Sequence, residues 1–182
     1  MLEIFKTIED KLQEDDTVSE GCWVALTKPT NEELQTVSRE TGIDIDDLRA
    51  PLDDEERSRI EQEGDCVIVL VDIPSLDEKD RYVTIPLGIY MTKQAIVTVC
   101  LEETPVLRAF MNNRVREFYT YKKTRFVFQI LYRNATSYLR YLRIVVMLLA
   151  LFITPVWYLL VKDASRVPEY LQFIVPEEPG SV

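Results

Sequence analysis

The chain has 182 residues, 47% of them hydrophobic and 29% charged, with a formal net charge of −10 and no histidine. Enough apolar material is present to bury a core, which excludes a wholly disordered chain. The negative charge excludes a general nucleic-acid binder, because that needs a basic field to displace phosphate counterions.

Leu2–Thr7 and Gly21–Leu26 read as short strands. Asn31–Thr41 is predicted to be a helix, with Thr30 as N-cap, Glu33 completing a capping box and Gly42 as the stop. Ile43–Ala50 continues as a second short helix, ended by Pro51. Arg57–Glu63 alternates as an edge strand does, and Cys66–Ile73 (CVIVLVDI) is the clearest buried strand. Tyr82–Tyr90 and Ala95–Leu101 follow as two more strands, joined by a turn around Thr92–Gln94. Thr104 and Pro105 open a helix that runs to about Asn112. A long helix begins near Tyr121, with Phe126, Ile130, Leu131, Tyr138 and Leu142 close to helical spacing. This order predicts an α/β fold, a mixed β-sheet flanked by helices on both faces.

Charge is divided along the chain. Through Pro105 there are 26 acidic and 10 basic residues, whereas Val106–Arg143 holds nine basic residues and one acid, Glu117. The basic stretch leads into Ile144–Val161 (IVVMLLALFITPVWYLLV), 18 residues without a charge. At 1.5 Å per residue this gives about 27 Å, enough for a thin hydrocarbon core. Trp157, Tyr158 and Lys162 lie at one end, as at a membrane interface, and a membrane helix tolerates the kink at Thr154-Pro155. The other reading is that the segment completes a soluble core. A ring of large side chains covering every face of the helix favours the bilayer. Three parts are expected: residues 1–143 as the α/β domain, 144–161 as a transmembrane helix and 162–182 as a polar tail. The positive-inside rule places the domain in the cytoplasm. The N-terminus, MLEIFKTIEDK, is too charged for a signal peptide, which agrees.

Cys22, Cys66 and Cys100 are widely spaced, and the last two sit in apolar runs, so reduced and buried thiols are expected. With no CxxC pair and no histidine, a zinc site of the usual kind and any Ser-His or Cys-His nucleophile are excluded. No Gly-rich phosphate cradle occurs, and no enzymatic activity is expected.

The most suggestive chemistry is acidic. Asp44, Asp46 and Asp47 lie on the short helix, with Asp53, Asp54, Glu55 and Glu56 after Pro51. Mg²⁺ is held through one or two carboxylates while keeping several waters. A solvated acidic helix and turn is the simpler alternative. Asp72 and the group Asp77, Glu78 and Asp80 read as a strand end and a solvated turn. Asn134-Ala135-Thr136 matches a glycosylation sequon but falls in a helix expected to be cytoplasmic. The cations of the Arg108–Arg143 stretch suit either anionic headgroups or the acidic domain itself.

The stretches TGIDIDDLRAPLDDEERSRIEQEGDCVIVLVDIP, VTIPLGIYMTKQAIVTVC and TRFVFQILYRNATSYLRYLR, in that order, resemble the cytoplasmic domain of the CorA family of magnesium transporters. The resemblance covers about residues 1–143. It implies a divalent-cation transport protein, a pentameric homo-oligomer and a regulatory Mg²⁺ (or another divalent cation) held at Asp46 and Asp47, with a partner carboxylate from a stalk helix. Members continue with long stalk helices and a Gly-Met-Asn tripeptide. Here that tripeptide does not occur, and Ile144–Val161 stands where the stalk would begin. The implied role is a metal-sensing, regulatory domain without a complete pore. A soluble α/β binding or regulatory domain is the alternative.

Overall fold

The computed structural model describes residues 1–76 and 82–164, with side chains described outside 76, 82 and 160–164. The chain divides into two units, Met1–Tyr138 and Leu139–Val182.

In the first unit, β1 (Leu2–Ile8), β2 (Lys11–Asp15) and β3 (Trp23–Thr27) precede α1 (Asn31–Thr41) and α2 (Ile45–Arg49). A 3₁₀ turn over Ala50–Leu52 leads to β4 (Arg59–Glu63), β5 (Cys66–Leu76), β6 (Tyr82–Met91), β7 (Ile96–Cys100), α3 (Pro105–Met111) and the first part of α4 (Lys123–Ala164), whose residues from Leu139 on belong to the second unit. The sheet has seven strands among the described residues, in the order β2-β1-β3-β7-β6-β5-β4. Among the described residues only the β3–β7 pair is parallel, with Trp23 opposite Ile96 and Thr27 opposite Cys100. The sheet is mixed, as expected.

Both faces are covered, which is why the central strands read as near-continuous apolar runs. Alternate side chains go to opposite sides. Trp23, Ile73, Leu87, Ile89 and Ile96 join Phe110 of α3 and Phe126 and Ile130 of α4 on one face. Val24, Leu26, Ile68, Leu70, Val97 and Val99 meet Leu34 and Val37 of α1 and Leu48 of α2 on the other. Trp23 anchors the first face, its ring 5.0 Å from Phe126 and 5.1 Å from Phe5. Its buried indole N–H donates to Thr98 Oγ1 at 2.9 Å, so no donor is left unpaired there.

The capping box at α1 forms: Glu33 N–H donates to Thr30 Oγ1 at 3.2 Å and Thr30 N–H to Glu33 Oε2 at 2.8 Å. Gly42, at φ +74°, provides the left-handed cap. The structure adds the short strand β2, whose sequence KLQED carries one apolar residue and so gives no strand signal. Glu9 and Asp10, both at positive φ, make the tight turn into it. The second helix is shorter than expected: it starts at Ile45 after its N-cap Asp44, and Ala50 passes into the 3₁₀ turn with Pro51. β4 begins at Arg59 rather than Arg57.

In the second unit the described residues are helical, and Ile144–Leu159 are exposed. Among the described residues one helical span, Lys123–Leu159, is long and apolar enough to cross a membrane, and none of its apolar stretch is buried. The helix runs through Pro155 to Ala164. Thr154 Oγ1 donates to the Ala150 carbonyl at 2.8 Å one turn before the proline.

Candidate metal centre

α2 is positioned by both its ends. Asp44 is its N-cap, with Oδ1 accepting from Asp46 N–H at 2.9 Å. Leu48 is fully buried against the sheet. Tyr90 of β6 donates its hydroxyl to the Asp47 carbonyl. Tyr90 lies flat here because Gly88 has no side chain: a Cβ at residue 88 would sit 2.7 Å from Tyr90 Oη and 2.8 Å from Pro51 Cγ. Gly88, Tyr90 and Pro51 together seat α2 on the sheet.

Successive helix positions point about 100° apart, and Asp46 and Asp47 part accordingly. Asp46 turns outward to an ion pair with Arg49 at 3.2 Å, its side chain 86% exposed. Asp47 is half-buried and meets Glu63 of β4, close enough for the two carboxyl groups to share a hydrogen bond. Burial, then the neighbouring charges of Glu63, Asp44 and Glu61, push the Asp47 carboxyl up to about 6. Cys66 lies beside this pair. Burial and the Asp47 and Glu63 carboxylates push its thiol up to about 11, so it stays protonated. Cys66 is half-buried rather than buried, Cys100 is buried as expected, and Cys22 is buried as well.

Glu63 is the residue that sequence reasoning missed. The alternation of RIEQE puts Arg59, Glu61 and Glu63 on one side of β4, but nothing local says that this side reaches α2. An open groove continues from Glu63 past Gly42, Cys66 and Lys93.

Of the other acidic candidates, Asp53, Glu56 and Asp72 are already engaged. Asp53 Oδ1 accepts from Glu55 N–H at 3.0 Å, and Glu56 pairs with Arg59. The Asp72 carboxylate accepts from Ser58 Oγ at 3.1 Å. The Asp72 carbonyl accepts from Asn134 Nδ2 at 2.8 Å and Tyr138 Oη at 3.3 Å, latching α4 to β5. That buries the sequon asparagine, which is 8% exposed. Asp77, Glu78 and Asp80 lie outside the described residues.

Among the described residues no group of three or more acidic or sulfur ligands converges. The donor set at Asp47 and Glu63 is therefore two carboxylates. That fits a hard divalent cation that keeps much of its water, and it does not fit a fully dehydrated site.

The chain matches the family of CorA-like Mg²⁺ transporter proteins over residues 19–146. It is 28% identical over 107 residues to the cobalt/magnesium transport protein CorA of Methanocaldococcus jannaschii, covering 59% of this chain and 32% of that one. It thus spans about a third of the length of this curated relative. The complete structure of the CorA magnesium transporter from the same organism superposes with a TM-score of 0.67 at 23% identity, over 80% of this chain and 47% of that one. The ZntB cytoplasmic domain from Vibrio parahaemolyticus gives 0.64 at 9% identity, over 78% and 60%. These likenesses share the mixed sheet and its covering helices.

Proposed function

The chain belongs to the CorA-like Mg²⁺ transporter family, and from that premise we propose that its first unit is a cytoplasmic, cation-sensing module of a divalent-metal transport protein. The observation that carries the reading is the meeting of Asp47 and Glu63. The Asp47 carboxyl, pushed up to about 6, keeps its proton first because burial disfavours its charge and then because the Glu63 carboxylate repels it. A divalent cation relieves the same repulsion more fully. Asp47 and Glu63 would hold it, with water completing the shell.

Asp46 belongs to the outer sphere in this reading, since its carboxylate is committed to Arg49. The second carboxylate comes from β4 of the same chain, so a first cation contact needs no neighbouring subunit. Assembly into a homo-oligomer, pentameric by family analogy, is the setting in which occupancy would matter. Phe128 and Tyr132, 66% and 74% exposed on the side of α4 away from the core, suit a subunit contact. Residues 144–161 cross the membrane and keep the acidic unit on the cytoplasmic side, by the excess of arginine and lysine before them. No catalytic role is assigned.

Calorimetric titration of Mg²⁺ into the full chain in detergent tests the site. D47N/E63Q should lose most of the binding heat that the wild type shows, and D46N should keep it. Identical traces for the wild type and D47N/E63Q would remove the metal-sensing claim.

A further inference from the structure

Between Glu117 and Asp163 the sequence contains no acidic residue. Within that interval Arg140 and Arg143 stand three residues apart in α4, on one face of the helix, and both are exposed. Neither makes an ion pair or a side-chain hydrogen bond among the described residues. The other arginines near α4 are engaged: Arg125 pairs with Glu117, and Arg133 donates to the Arg114 carbonyl and lies over the Phe110 ring. The exposed apolar run begins at Ile144, directly after the second free guanidinium.

We propose that Arg140 and Arg143 form a clamp for the phosphate of an anionic lipid headgroup on the cytoplasmic leaflet. A guanidinium presents a planar fork of donors that matches phosphate oxygens two at a time. Two of them one helical turn apart straddle a single phosphate. Their place is set by the chain itself, because the residue after Arg143 enters hydrocarbon, so residues 140–143 lie at headgroup depth. A zwitterionic lipid offers the same phosphate with a compensating cation beside it, so selectivity for net negative charge is expected. This site rests on the reading that residues 144–161 span a bilayer. It is separate from the Asp47 and Glu63 pair.

The test uses the full chain in nanodiscs of phosphatidylcholine containing a minor fraction of phosphatidylglycerol, with retained lipid counted by native mass spectrometry. The wild type should retain phosphatidylglycerol preferentially, and each arginine removed should lower that preference about fivefold. R140Q/R143Q should show none, and R140K/R143K should fall between, keeping the charge but losing the fork. Equal preference in the wild type and R140Q/R143Q would overturn the clamp while leaving the membrane span intact. A chain that never enters the nanodisc would overturn both.

Discussion

Thr7 in β1 and Thr120, just ahead of α4, exchange two hydrogen bonds across 113 residues of chain: each backbone N–H donates to the other's Oγ1 at 3.0 Å. Both residues are buried, at 9% and 0% exposure. The exchange satisfies two buried backbone donors, and it ties the start of α4 to β1. Thr120→Val keeps the shape but removes one acceptor and strands the Thr7 N–H. The denaturation midpoint of the full chain should fall, with a loss of about 1–3 kcal/mol. An unchanged midpoint would mean that water reaches this pair.

The Asp47 carboxyl gives a pH signature. Its ordinary value of 3.8 is raised to about 6 in the folded chain. Below 3.8 the group is protonated both folded and unfolded, and it makes no difference to stability. As the pH rises from 3.8 to about 6, the unfolded chain ionises first, so the folded state loses ground, and the full penalty stands above 6. D47N should therefore melt above the wild type near neutrality, by about 2–4 °C once the group's half-exposure is allowed for, and together with it in acid. A melting difference that is flat across this window would contradict the pairing with Glu63. Added Mg²⁺ should narrow the gap by stabilising the wild type alone.

Gly88 tests the seating of α2. Alanine there places a methyl against Tyr90 Oη and Pro51 Cγ. The ring must turn, and its hydroxyl leaves the Asp47 carbonyl. A destabilisation of about 1–3 kcal/mol is expected from overpacking. Weakened Mg²⁺ heats should accompany it, although residue 88 carries no ligand. Tyr90→Phe separates the effects, since it removes the hydrogen bond with the space unchanged.

The apolar unit makes a prediction of its own. The wild type should resist extraction from membranes by alkaline carbonate and need detergent. Ile153→Arg places a charge inside the apolar run, at an insertion cost of about 2.5–3.5 kcal/mol, and should shift much of the protein into the soluble fraction. Quantitative carbonate extraction of the wild type would return residues 144–161 to a soluble role.

Much of this protein was legible in its residues, because the signals were local. Cys66–Ile73 and Tyr82–Tyr90 read as near-continuous apolar runs, which is what a doubly covered strand requires. Thr30, Glu33 and Gly42 mark both ends of α1 through bonds to their own near neighbours. Ile144–Val161 carries its length and lack of charge openly. Asp47 was visible as well, as one of seven carboxylates along a short helix and turn. Its difference from Asp46 was not, and neither was Glu63. The fold decided these by laying β4 outside β5, so that the strand's last residue comes level with the first turn of α2. Pairing between strands is a long-range choice made by the whole sheet. Two carboxyl groups become a site only when such a choice brings them together, here the exposed Glu63 against the half-buried Asp47.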